Sequence, residues 1–151
     1  MTKVRTILYA EDDLVVLTVY KKRLEHAGFH VIPARDGLEA IKNLSIFVPD
    51  LVLLDLMMPK FNGEEVLQFI RNNPRFAKVP VIILSTNSIR DVAQEALLEQ
   101  ADQRLIKSKC TAESLVEAIQ YLLAGVEADK TEQQISEIED SFSSLFSTAA
   151  A

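Results

Sequence analysis

The chain has 151 residues, 48% of them hydrophobic and 25% charged, enough for one domain with a substantial core. No apolar run reaches the length that spans a bilayer, the N-terminal MTKVRTILYAEDD lacks the features of a secretory signal, and a lone Cys110 excludes an internal disulfide; together these point to a reducing cytoplasm. The net charge of −6 is uneven: residues 127–151 hold six acids against one base, Lys130, while the rest holds 16 acids and 15 bases, so there is no basic stripe for DNA.

In chain order, short β-rich runs alternate with helically spaced segments. Residues 6–10 (TILYA) read as a strand, followed by Glu11-Asp12-Asp13 and a helix over 14–27 that Asp13 caps and Gly28 ends. A second strand over 29–33 leads to a helix over 37–47. The run LVLLD at 51–55 ends on a carboxylate, and the loop Met57-Met58-Pro59-Lys60-Phe61-Asn62-Gly63 leads to a helix over 64–72. A fourth strand, 79–85, ends in Ser85-Thr86, and Ser88 is placed to cap a helix over 89–98. A weaker strand, 104–107, ends on Lys107, and Thr111 is placed to cap a helix over 112–124 with Leu115, Val116, Ile119, Leu122 and Leu123 on one stripe. Gly125 is expected to end that helix. Beyond it, Asp129 or Thr131 is placed to cap a new helix, Thr131 with Gln134 reads as a capping box, and Ile135, Ile138, Phe142 and Leu145 recur at spacings of three, four and three. The pattern predicts a separate amphipathic sixth helix over 131–147 that buries Phe142 and Leu145 against protein.

Five strand–helix units in strict alternation, with strands that are continuous apolar runs, predict a doubly wound α/β fold. The expected sheet is parallel and five-stranded, in the order 2-1-3-4-5, with helices on both faces and an extra helix at the C-terminus. The expected division is a domain over 1–126 and an acidic, amphipathic helical extension over 127–151.

Sites in such sheets form outside the carboxyl ends of the strands. The first strand delivers Glu11, Asp12 and Asp13 there, the third Asp55, the fourth Ser85 and Thr86, and the fifth Lys107. Like charges at that range need a cation, and oxygen ligands with room for water suit Mg²⁺. The chemistry that fits is phosphoryl transfer onto Asp55 as nucleophile, with Lys107 pairing with a phosphoryl oxygen and Ser85 donating to the product phosphate. Other features read as structural. His26 and His30 are four apart, but Gly28 between them breaks the helix, so they cannot share a face. Met57 and Met58 read as loop packing.

These segments resemble the receiver domain of two-component response regulators over about residues 4–124. "ILYAEDD" is similar to that family's acidic pair, "LVLLDLMMPKFNG" to its phosphoacceptor segment, "VPVIILST" to its switch strand and "LIKSK" to its lysine loop, with separations of 43 residues from Asp12 to Asp55, 30 from Asp55 to Ser85 and 52 from Asp55 to Lys107. The resemblance implies a phosphoacceptor at Asp55 and a Mg²⁺ (or Mn²⁺) site made by Asp12, Asp55, the backbone carbonyl of Met57 and, through water, Glu11. It also implies a phosphohistidine donor, either a sensor histidine kinase or a phosphotransfer protein, and a non-enzymatic role in phosphorelay signalling. Output would then pass to a downstream protein, with a homodimer as one form it could take. Four positions depart from the pattern. Ser108 stands where the family usually has a cis proline, Arg104 where it has a switch aromatic, and Lys60 and Gln100 where it often has glycine. The expectations that follow are a trans Lys107–Ser108 bond and a surface Arg104 paired with Asp102, Asp91, Glu95 or Glu99. A phosphorylation-independent scaffold that keeps the fold is the alternative reading.

Overall fold

The inner strands carry almost nothing but apolar side chains, and that composition dictates a sheet covered on both faces. In the computed structural model, which describes residues 3–86 and 92–149, β1 (Thr6–Ala10), β2 (His30–Ala34), β3 (Leu51–Asp55), β4 (Val81–Ser85) and β5 (Gln103–Ile106) form one parallel sheet in the order β2-β1-β3-β4-β5. Successive side chains point to opposite faces. Leu8, Ala10, Val52, Leu54, Val81 and Ile83 therefore build one core, with α2 (Gly37–Ile46), α3 (Gly63–Asn72) and α4 (Val92–Leu98). Ile7, Tyr9, Leu51, Leu53, Ile82 and Leu84 build the other, with α1 (Leu14–His26) and α5 (Ala112–Ala149).

Helix starts follow their caps. Asp13 Oδ1 accepts from Val15 N at 2.9 Å, Asp36 Oδ1 from Glu39 N at 2.8 Å and Asn62 Oδ1 from Glu65 N at 3.0 Å. Thr111 and Ser114 cap α5 reciprocally, each side-chain oxygen accepting from the other's backbone N–H. Element ends shift slightly from expectation. β4 begins at Val81, because Pro80 has no N–H and the Val79 N–H turns back to Phe76 O at 3.1 Å. Asn62 caps α3 one residue earlier than predicted, at Gly63, and the edge strands β2 and β5 lie at 30–34 and 103–106. Ser88 and the expected start of the fourth helix fall outside the described residues.

The predicted sixth helix does not exist as a separate element. α5 runs unbroken for 38 residues through Gly125, which keeps a helical φ rather than the left-handed one a C-terminal glycine stop needs. Thr131 is no cap: its hydroxyl donates back to Glu127 O at 2.9 Å, inside the helix. Phe142 and Leu145 are not buried, with 60% and 70% of their surfaces exposed. One glycine, without proline, costs a helix only about 1 kcal/mol, too little to stop it.

Two other glycines are fixed by close approach. A Cβ on Gly63 would sit 2.3 Å from Asp55 O, and one on Gly37 1.7 Å from Phe61 O. The loop after β3 is thereby pulled down against the start of α2, with Lys60 and Phe61 at φ 50° and 69°. The three glycines should respond with opposite signs in urea unfolding. Gly63→Ala and Gly37→Ala should lose about 1–3 kcal/mol or more through overpacking. Gly125→Ala, with open space around it, should gain up to about 1 kcal/mol; a loss at Gly125 would mean that α5 breaks there.

Candidate functional site

Parallel register aligns the carboxyl ends of the strands. Ala10 pairs beside Leu54, Asp55 beside Leu84 and Ser85 beside Ile106, so the residues that follow β1, β3, β4 and β5 open on one edge. Glu11 continues the ladder by donating its N–H to Ala34 O at 2.9 Å, which holds its side chain over the sheet. Glu11 is 1% exposed and Asp55 3%. Asp12 is exposed, yet the carboxylates of Glu11, Asp12 and Asp55 offer oxygens that all lie within 4.8 Å of one another.

Among the described residues, one cation answers this cluster from within the chain. Lys107 opens a short 3-10 turn, Lys107–Lys109, directly after β5. Its ammonium stands 2.9 Å from both Glu11 oxygens and 3.3 Å from Asp55 Oδ2. The other Asp55 oxygen, Oδ1, accepts the Met57 N–H at 3.3 Å. Burial, then the neighbouring Asp55, push the Glu11 carboxyl up to about 7, against the pull of Lys107. Asp12 is raised by its own desolvation and by Asp55. Burial works to lower the Lys107 ammonium, but the Glu11 hydrogen bond and the nearby carboxylates outweigh it and hold Lys107 above its ordinary value. One lysine thus leaves the cluster short of positive charge. Hard carboxylate oxygens, part of them open to water, form a donor set suited to a divalent cation such as Mg²⁺.

The site residues expected from the sequence separate into those gathered here and one that is not. Glu11, Asp12, Asp55 and Lys107 converge, Met57 adjoins them by its N–H, and Ser85 stands half-buried at the tip of β4. Arg104 lies on the exposed side of β5, two residues before its end, and stays at the surface as expected. Its expected ion pair is not formed among the described residues. Asp102 is taken by Arg71, whose Nη2 lies 2.9 Å from Asp102 Oδ2 while Nε donates to Gln100 O at 2.8 Å. Asp91 falls outside the described residues. Asp13 is a cap, His26 and His30 are both exposed, and no cis peptide occurs among the described residues, so Lys107–Ser108 is trans. Met58 packs into the core, but Met57 is 73% exposed and fills no gap. Sequence reasoning missed Tyr9, a fully buried residue two positions before Glu11 whose hydroxyl has no hydrogen-bond partner among the described residues. Burial and then the Glu11 charge keep its phenol protonated. In the sequence it is one more apolar-run residue.

A family profile described as "Response regulator receiver domain" matches residues 7–120. Among curated proteins, the chain is 36% identical over 117 residues to the transcriptional regulatory protein PrrA of Mycobacterium leprae, covering 78% of this chain and 49% of that protein. It is 33% identical over 99 residues to the Regulator of RpoS of Escherichia coli, covering 65% of this chain and 29% of that one. The chain thus spans about half or less of these relatives. Among solved structures it is similar to the signal receiver domain of a signal transduction histidine kinase from Syntrophus aciditrophicus, with 30% identity, a TM-score of 0.73 and coverage of 82% and 92% of the two chains. A Francisella response regulator receiver domain gives 27%, 0.72, and 81% and 98%.

The geometry makes Lys107 a structural counter-charge. In the presence of a chelator, Lys107→Met should lower unfolding stability by about 2 kcal/mol, less than the 3–5 kcal/mol typical of a fully buried pair because the lysine side chain is 19% exposed. Unchanged stability in urea would mean that Lys107 does not hold the two acids.

Proposed function

This chain belongs to the response regulator receiver domain family, and we propose that it accepts a phosphoryl group on Asp55 from a phosphohistidine donor and signals through altered binding to a downstream protein. The observation that carries this reading is Asp55 itself: a carboxylate 3% exposed at the tip of a central strand, facing an ammonium at 3.3 Å and two further carboxylates. A buried charge of that kind is costly as architecture and useful as a nucleophile. The donor is a sensor histidine kinase or a phosphotransfer protein.

In the proposed reaction a carboxylate oxygen of Asp55 attacks phosphorus, the P–N bond to the donor imidazole breaks, and the electron pair returns to that nitrogen. The product is an acyl phosphate on Asp55. The Met57 N–H holds Oδ1 and Lys107 faces Oδ2, so the carboxylate is oriented before the donor arrives. Lys107 offsets negative charge on the transferring group, and the Ser85 hydroxyl donates to the product phosphate. Mg²⁺ (or Mn²⁺), held by Asp12, Asp55, the Met57 carbonyl and, through water, Glu11, supplies the remaining positive charge when bound. The phosphoryl group ends on the protein's own side chain, so the chain acts as a phosphoprotein that assists its own phosphorylation and dephosphorylation rather than as an enzyme turning over a substrate.

Output runs from Ser85 to the exposed strip around Arg104 on the face of α4, β5 and α5. An exposed arginine there presents a charge to a partner where the family's aromatic would pack inward. The acidic balance of the chain argues against DNA as that partner, and the lone cysteine is in keeping with a cytoplasmic setting. No helix among the described residues is long and apolar enough to cross a membrane.

Acetyl phosphate with Mg²⁺, read by intact mass, tests the proposal. One phosphoryl adduct is expected on the wild type, none on Asp55→Asn and none with chelator; an adduct that persists in Asp55→Asn would refute the assignment.

A further inference from the structure

The apolar stripe of α5 changes sides. Leu115, Ile119 and Leu123 face the sheet and are buried. At 100° per residue, the later apolar residues lie roughly on the opposite side of the same helix, and Ile135, Ile138, Phe142 and Leu145 are 51–70% exposed. Because the helix is continuous, this second stripe cannot fold back onto its own domain. Its period is also regular. Tyr121, Ala124, Ala128, Thr131, Ile135, Ile138, Phe142 and Leu145 follow one another at alternating steps of three and four, a heptad seam that begins on the domain and runs toward the end of the helix. A strict seven-residue repeat suits a left-handed supercoil with another helix rather than a straight solvated rod.

From this seam we infer that α5 pairs with α5 of a second copy of the chain in a parallel, in-register coiled coil. Parallel pairing sets like layers together, with Ile135, Ile138, Phe142 and Leu145 each meeting its own counterpart and the small Ala124 and Ala128 doing the same. A full-length antiparallel overlay would set the large residues on the alanines and leave gaps. The seam spans about 40 Å of helix. With two aromatics and three large aliphatics per chain it buries on the order of 1,000 Å² in total, near the lower bound for a specific interface. The dimer is therefore weak and concentration-dependent. Charge opposes it where Glu127 and Glu132 flank the seam. In this structure, however, Glu127 is engaged by Arg5, the residue just before β1, and has Lys130 Nζ at 3.9 Å. The acid that would face Glu132 of the second copy is thus already compensated by its own chain. The same surplus of acids beside the seam disfavours an anionic membrane surface as occupant.

Sedimentation of the full chain from low micromolar to a few hundred micromolar should show a reversible monomer–dimer equilibrium. Ile138→Glu, on the seam, should weaken it at least tenfold, and Gln133→Glu, on the opposite side, should leave it unchanged. Both positions are exposed, so neither change should unfold the domain. In a Cys110→Ser background, Ala128→Cys should oxidise to a disulfide-linked dimer only if the helices run parallel in register. A monomer at every concentration, equal behaviour of the two glutamate variants, or no cross-link at Ala128 would each overturn the inference.

Discussion

The structure depends on one ion contact: the Lys107 ammonium between the Glu11 and Asp55 carboxylates, 2.9 and 3.3 Å away. Two nearly inaccessible acids at the rim of an apolar sheet would be intolerable without it, since an unpaired charge in that setting either costs several kcal/mol or takes up a proton. The position of Lys107 is in turn a consequence of topology. β5 must pair beside β4 for its first following residue to arrive over the same edge that β1 and β3 supply. The order of the strands is therefore what brings the charges together.

The balance at that edge is deliberately incomplete in electrostatic terms. Among the described residues a single lysine offsets one charge among three carboxylates, and burial, then Asp55, push the Glu11 carboxyl up to about 7 against the pull of Lys107. The surroundings give little room for relaxation. Gly63 lets α3 start directly against the Asp55 backbone, and Gly37 lets the left-handed turn at Lys60 and Phe61 press on α2.

Most of the fold was legible because parallel sheets leave a plain trace: apolar runs such as Leu51–Leu54, with caps such as Asp13 and Asn62 between them. The site was legible for the same reason, since each chemistry-bearing residue sits just past a strand. What failed were judgements that depend on a helix's neighbours. Gly125 looks like a stop, but a glycine stops a helix only where the chain turns left-handed, and nothing after it demands a turn. Phe142 and Leu145 have the spacing of a buried stripe, yet spacing reports a face and not what covers it. Arg104 was rightly placed at the surface. Its supposed partner Asp102 belongs to Arg71, a residue 31 positions away whose reach no local pattern reveals.

The proposed function requires that a divalent cation bound to its own carboxylates complete this acid cluster. The direct measurement is the unfolding midpoint, followed by circular dichroism, of the wild type and of Asp12→Asn with and without millimolar Mg²⁺. A ligand that binds only the folded state stabilises it in proportion to the logarithm of its saturation. Mg²⁺ should raise the wild-type midpoint, and most of this gain should disappear in Asp12→Asn; an equal rise in both proteins, or none in the wild type, would contradict metal binding by these carboxylates.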